Sequence, residues 1–284
     1  MRSKVQSPRS KVHARKSKVQ GPKSKAATLD FDFGLWTLDF GLRLFCTLVF
    51  LAGSASLSRG STSESLFRGG NRAYQSGDYL GAVLQLRDSV ARRPGSGSLQ
   101  NLGSAEWQVG RTGHAVLDWE QALWLDPFNS ASRGNLRFAR RMAQLETPEL
   151  TWYEVVSTWL PANWWVWIAG ASFWLAVGMA ALPGLLRRRK AAWQQATAAL
   201  GLMVFLLSLP AHFGVNTRSR LGFVLEKDTP LRLTPTREGQ LITRLAPGSP
   251  ARCVRVRGNY LLVRTSPQGI QGWLEKNQLG LICP

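Results

Sequence analysis

The sequence is poor in acid, cysteine and histidine. Of its 284 residues, 17 are Asp or Glu against 36 Lys or Arg, giving a formal net charge of +19. The three cysteines, Cys46, Cys253 and Cys283, include no Cys-x-x-Cys pair, and no His/Cys cluster has the spacing of a zinc module. The three histidines, His13, His114 and His212, fall in three different regions. No Gly-x-Ser-x-Gly, His-Glu-x-x-His or Gly-x-x-x-x-Gly-Lys run is present, which removes the common serine-hydrolase, zinc-protease and P-loop readings. The expectation is a protein that is not an enzyme and uses no cofactor and no metal. Glu106 and Glu120, two of the acids between residues 65 and 145, are expected to be solvated.

The first 25 residues lack both acid and aromatic side chains while carrying nine Lys and Arg. Such a tail can meet nucleic acid or anionic lipid, or precede a secretion signal. No nucleic-acid recognition motif accompanies it, so no nucleic-acid partner is expected. Ser-Lys-Val recurs at Ser3, Ser10 and Ser17, and Asp32-Phe33-Gly34-Leu35 returns as Asp39-Phe40-Gly41-Leu42, both at a period of seven. Each heptad holds too little apolar surface for a coiled coil, so residues 1–40 read as a disordered basic segment, with the true start downstream as an alternative. Residues 41–56 follow, with an apolar run from Leu42 to Ala52 and then Gly53, Ser54 and Ala55. That is the layout of a signal peptide, with an uncleaved anchor as the alternative. Cys46 lacks the small preceding residues of a lipidation site.

What is present beyond this point is patterned. Gly70, Gly77, Ala82 and Pro94 return as Gly103, Gly110, Ala115 and Pro127, each offset by 33. Small residues at Gly70/Gly103 and Ala82/Ala115 allow two antiparallel helices to approach, Gly77 and Gly110 end the first helix of each pair, and Pro94 and Pro127 stop the second. Leu86 and Trp119 are expected to fill the gap between repeats. A further helix from Ser130 to Leu145 carries Leu136, Phe138, Ala139 and Met142 as its apolar stripe. The region 65–145 resembles a tetratricopeptide (TPR) array of two units and a capping helix. The resemblance implies peptide or protein binding on the concave face, through Asn71, Tyr74, Gln75, Ser104, Trp107 and Gln108. Tyr74 and Trp107 could instead pack between helices. Two units fall below the usual three, so the array is expected to lean on a neighbouring domain or a partner.

Trp164–Leu186 and Ala196–Val215 carry no ionisable side chain except His212. Each can cross about 30 Å of hydrocarbon at about 1.5 Å per residue. Between them Arg187, Arg188, Arg189 and Lys190 mark a cytoplasmic loop, 187–195, so both flanking domains are expected outside. Trp152, Tyr153, Trp159, Trp164, Trp165 and Trp167 crowd the outer entry as an interfacial belt, and Trp193 marks the inner side. His212 is alone, without an acidic partner in either helix, and a proton or ion path through it is the weaker reading.

Residues 220–284 alternate short β-prone runs with turns at Thr234-Pro235, Pro247-Gly248, Gly258-Asn259 and Pro267-Gln268-Gly269. Closely spaced strands in so short a segment point to a small all-β barrel. The stretch from Pro230, the loop Leu245-Ala246-Pro247-Gly248, the Gly258-Asn259-Tyr260 hairpin and Gly272-Trp273-Leu274 resemble the bacterial SH3-like domain. That resemblance implies cell-wall peptide or protein binding, with Tyr260 and Trp273 as groove candidates and barrel core as the alternative for Trp273. Cys253 and Cys283 either form a disulfide in an oxidising compartment or stay reduced.

The order signal, TPR, two spans, SH3-like domain resembles BatE-type proteins of the Bat aerotolerance operon over about residues 41–284. The resemblance implies a multi-pass protein of the bacterial inner membrane with both soluble domains periplasmic. It would act as a scaffold for other membrane proteins, including Bat-family members with von Willebrand A domains. A peptidoglycan sensor acting through the SH3-like domain is the alternative, and membrane lipid is an expected partner in either case.

Overall fold

A computed structural model describes residues 57–185, 191–266 and 268–283. The expected basic segment 1–40, the signal or anchor 41–56 and the cationic turn Arg187–Lys190 lie outside the described residues. Residues from Ser56 onward form one compact unit.

The helical part consists of α1 (Leu57–Gln75), α2 (Tyr79–Arg92), α3 (Ser96–Gln108), α4 (Thr112–Leu125) and α5 (Ser130–Met142). They make two antiparallel pairs, α1/α2 and α3/α4, with α5 closing the row. Gly77 and Gly110 sit at φ 83° and 79°, a left-handed turn that glycine adopts without strain, and each ends the first helix of its pair. A Cβ on Gly70 would lie 2.6 Å from Leu86 Cγ, and one on Gly103 would lie 2.8 Å from Trp119 Nε1, so both glycines are required by close approach. Ala82, Leu86 and Ala115 are fully buried and Trp119 is 2% exposed, as the repeated spacing requires. Asp78 caps α2 by accepting from the Gly81 N–H at 2.9 Å. The second unit has Arg111 at that place and makes no side-chain cap.

The expected solvation of Glu106 and Glu120 is corrected by the structure. Glu106 is 1% exposed and is held by Arg87 Nη2 at 2.5 Å and Arg111 Nη1 at 3.5 Å. Burial is tolerated because the two guanidiniums come from either side of it. Glu120 is ion-paired with Arg140 of α5 and largely covered. The stripe on α5 is also narrower than expected: Leu136 and Ala139 are buried, while Phe138 and Met142 are exposed.

A short helix α6 (Trp152–Ser157) leads into two long apolar helices, α7 (Ala162–Leu185) and α8 (Ala192–Arg218). α6 begins with a capping box in which Glu154 accepts from the Thr151 N–H at 2.9 Å. Both long helices are long and apolar enough to cross a membrane. They run antiparallel, with the rings of Phe173 and Phe205 tilted against each other, centroids 5.4 Å apart, and His212 Nε2 at 3.0 Å from the Trp165 carbonyl oxygen. Their sides away from this contact expose Trp167, Trp174, Leu206, Leu207 and Phe213. Trp152, Trp159, Trp164 and Trp193 are also exposed, whereas Trp165 is buried.

The C-terminal part is a seven-stranded antiparallel sheet: β1 (Leu221–Val224), β2 (Thr229–Arg232), β3 (Leu241–Leu245), β4 (Pro250–Arg257), β5 (Tyr260–Thr265), β6 (Gln271–Glu275) and β7 (Leu279–Leu281). Its order is β3-β2-β6-β5-β4-β1-β7. All four expected turns fall between strands. Inward residues from all seven strands, among them Val224, Leu231, Leu245, Ala251, Val263, Leu274 and Leu279, share one core, so the sheet is strongly curled. It is nevertheless not the closed barrel expected, because β3 and β7 stand at the two ends and do not pair. The β7 side is covered by a helix instead: a Cβ on Gly280 would lie 2.1 Å from Leu117 Cδ2, and Gln121 Nε2 donates to the Leu281 carbonyl at 2.9 Å.

This contact answers how a two-unit array is stabilised. A single hydrophobic core combines Val116, Trp119 and Trp124 of α4 and Leu136 of α5 with Leu221 and Phe223 of β1 and with Ile282. The sheet thus packs on α4 beside α5 and covers the end of the array. A second tie runs from the sheet to α6, where Arg252 of β4 donates to Glu154 at 2.5 and 3.2 Å, with Glu154 fully buried.

Candidate functional site

The first helix of each pair and α5 lie side by side along one side of the array, and their polar residues are linked across it. Asn101 Nδ2 of α3 donates to Asn71 Oδ1 of α1 at 2.8 Å, and Asn135 Nδ2 of α5 donates to Ser104 Oγ at 3.3 Å. Between α1 and α3 lies a groove of about 290 Å³ lined by Asn71, Tyr74, Gln75, Gln100, Asn101 and Ser104. Every side chain that lines it carries an amide or a hydroxyl group, and the rest of the lining is apolar. Each amide carries two donor hydrogens and a carbonyl oxygen with two acceptor sites, so the internal bonds leave capacity for a ligand's backbone.

Four of the six residues expected on this face, Asn71, Tyr74, Gln75 and Ser104, therefore meet in one groove. Trp107 does not join them. Its ring packs 6.0 Å from Trp119 and 5.9 Å from Phe138 and is partly buried against the shared core. Gln108 is exposed at the end of α3, outside the groove. Gln100 and Asn101 were missed, although both precede Ser104 by about one helical turn and share its side of α3.

The sheet register places the second set of candidates. Leu261, Val263 and Leu274 face the core, so Tyr260, Leu262, Arg264 and Trp273 face outward. Trp273 is half-buried, directly opposite Leu262 on one side and Arg232 on the other. Tyr260 is opposite Glu275 and diagonal to Trp273. Tyr260 and Trp273 thus share the outer face, and Trp273 is not barrel core.

Cys253 and Cys283 are free. Of the two alternatives the structure shows the unbonded one, with β1 between the two cysteines: Cys253 N–H donates to the Arg220 carbonyl at 2.8 Å and Ile282 N–H to the Leu221 carbonyl at 3.1 Å. Burial also pushes the Cys253 thiol up, with Arg220 opposing it, so it is protonated at neutral pH.

Two further ionisable groups are displaced within the array. Burial pushes the Asp118 carboxyl well up, reinforced by nearby Glu106 and opposed by Arg87. Burial pushes the His114 imidazole down. Among the described residues no group of three or more His, Cys, Asp or Glu side chains could hold a metal ion.

The chain matches no family model, no curated protein and no solved structure.

Proposed function

We propose that this protein is a non-enzymatic adaptor of the bacterial inner membrane that binds an extended segment of a partner membrane protein in the groove between α1 and α3. The observation that carries this reading is the amide-lined groove at Asn71, Gln75, Gln100, Asn101 and Ser104, which matches the alternating donors and acceptors of a peptide backbone. The two long helices supply the anchor, since their exposed apolar sides would otherwise face water. On this reading the helical array and the sheet both lie on the periplasmic side. The resemblance to BatE-type proteins adds the identity of the partners: Bat-family membrane proteins with von Willebrand A domains, in an aerotolerance or envelope-stress complex.

Crosslinking in intact membranes followed by mass spectrometry tests it. Integral membrane partners are expected with the native chain, and their yield falls with Asn71→Ala/Asn101→Ala. Unchanged capture in that variant overturns the groove assignment.

A second reading is favoured by the outward placement of Tyr260 and Trp273 beside Arg232: the sheet binds peptidoglycan as a cell-wall sensor. Retention of the detergent-solubilised full chain on purified sacculi, lost with Trp273→Ala, supports this reading. No retention removes it.

A further inference from the structure

A cavity of about 620 Å³ lies at the end of α8 and uses none of the groove residues. It is walled by Tyr153 and Glu154 of α6, by Arg220 just after α8, by Arg252 of β4 and Arg264 of β5, with Glu149 at the rim. Three arginines and two glutamates thus line it. Glu154 is already committed to Arg252. Arg220 and Arg264 form no ion pair with a described residue, and they remain against the single exposed carboxylate of Glu149. With the Gln271 amide oriented oxygen-first, it accepts from Arg264 Nη2 at 2.6 Å and Nε at 3.0 Å, which holds the guanidinium in place without neutralising it. The cavity therefore carries one uncompensated positive charge, the complement of a phosphodiester.

The strand register fixes where this cavity lies along the chain's path out of α8. β1 starts at Leu221, opposite Arg252, and β4 runs antiparallel to it. Residues of β4 after Cys253 therefore run back past the level of Arg220, paired only with β5. At about 3.3 Å per residue, Val254–Arg257 extend about 13 Å beyond the start of the sheet. Val254 and Val256 are 47% and 58% exposed and alternate with the exposed Arg255 and Arg257. Apolar and cationic side chains thus alternate beside the end of a long apolar helix, near exposed Trp152. That combination suits a membrane interface.

We infer that the cavity seats the phosphate headgroup of an anionic glycerophospholipid, with Arg220 and Arg264 as its cationic ligands. This rests on reading α7 and α8 as membrane spans.

Native mass spectrometry of the full-length protein, purified in detergent with equal amounts of phosphatidylglycerol and phosphatidylcholine, tests it. Two cations at a membrane surface favour the anionic lipid on the order of tenfold or more. Arg220→Gln/Arg264→Gln abolishes that preference, Arg220→Lys/Arg264→Lys keeps part of it, and Arg237→Gln/Arg244→Gln, which removes equal charge from β3 and the loop before it, leaves it intact. A far-UV spectrum like that of the native chain shows that loss in the first variant is not unfolding. Equal retention of the two lipids by the native chain overturns the proposal, as does a preference that survives Arg220→Gln/Arg264→Gln. Displacement of the lipid by soluble glycerol phosphate at the same concentration overturns a membrane source for the ligand. Carbonate extraction separates this failure from failure of the membrane reading. A chain that stays in the pellet but shows no lipid preference loses only this site, whereas a chain released to the supernatant loses the spans.

Discussion

Replacing Arg252 by Met leaves Glu154 buried without its cation, at the joint where α6, α8 and β4 meet. Glu154 is fully buried, while the Arg252 side chain is 31% exposed. Breaking a buried ion pair by removing one partner costs about 3–5 kcal/mol, and the exposure of Arg252 places this pair near the lower end, about 3 kcal/mol. For a unit of this size that is roughly 6–12 °C in unfolding midpoint, at about 2–4 °C per kcal/mol. Far-UV circular dichroism of the full chain in mild detergent reads the shift. Arg252→Met/Glu154→Leu is expected to recover most of the loss, because the penalty belongs to the stranded carboxylate and not to the missing contact. The pair also sets a pH dependence. Burial pushes the Glu154 carboxyl up, but the hydrogen bonds from Arg252 and Thr151 more than offset this, and the net displacement is downward. Its stabilisation is therefore complete above the ordinary glutamate range and lost as pH falls through the depressed folded value. A double variant as unstable as Arg252→Met, or a native-minus-variant difference that persists unchanged into strong acid, would refute this account of the joint.

Two other substitutions probe the shared core and the buried acid. A Cβ on Gly113 would lie 2.3 and 2.4 Å from the Leu225 and Val224 carbonyl oxygens, so Gly113→Ala forces α4 off the sheet. A loss of about 3 kcal/mol is expected, while Gly134→Ala on α5, with nothing within 4 Å, is expected to be neutral or slightly stabilising; equal midpoints for the two would argue against the docking. Asp118→Asn is expected to raise stability at pH 7 and leave it little changed near pH 3. The native carboxyl has a raised folded pKa, so stability declines as pH rises from the ordinary aspartate range through that value. A variant with the same pH slope as the native chain would contradict this.

The helical pairs were legible because their constraints are local and repeated. Glycine at Gly70 and Gly103 and alanine at Ala82 and Ala115 recur at one offset, and the turns at Gly77 and Gly110 need a conformation that few other residues adopt. The strands were legible from their turns, and the long helices from their lack of charge. What the sequence hid was long-range. Nothing near Val116 or Leu117 announces that their side of α4 packs on β1 and β7, since an apolar helix face looks the same whichever element covers it. Glu106 read as a surface acid because Arg87 and Arg111 flank it only after folding, and Arg87 lies nineteen positions away. The barrel expectation failed at closure for the same reason: a helix covers the β7 side where a strand was expected. In the groove, Gln100 and Asn101 were within reach of helical spacing from Ser104, whereas Trp107 was drawn away by Trp119 and Phe138.

The account rests most heavily on the arrangement of the two long helices. Alkaline phosphatase and green fluorescent protein, each fused at the C-terminus and expressed in a bacterial cell, test it most directly. Active phosphatase with dark fluorescent protein is the expected result, placing the sheet outside the inner membrane. Fluorescence without phosphatase activity would put the sheet in the cytosol and contradict the periplasmic adaptor.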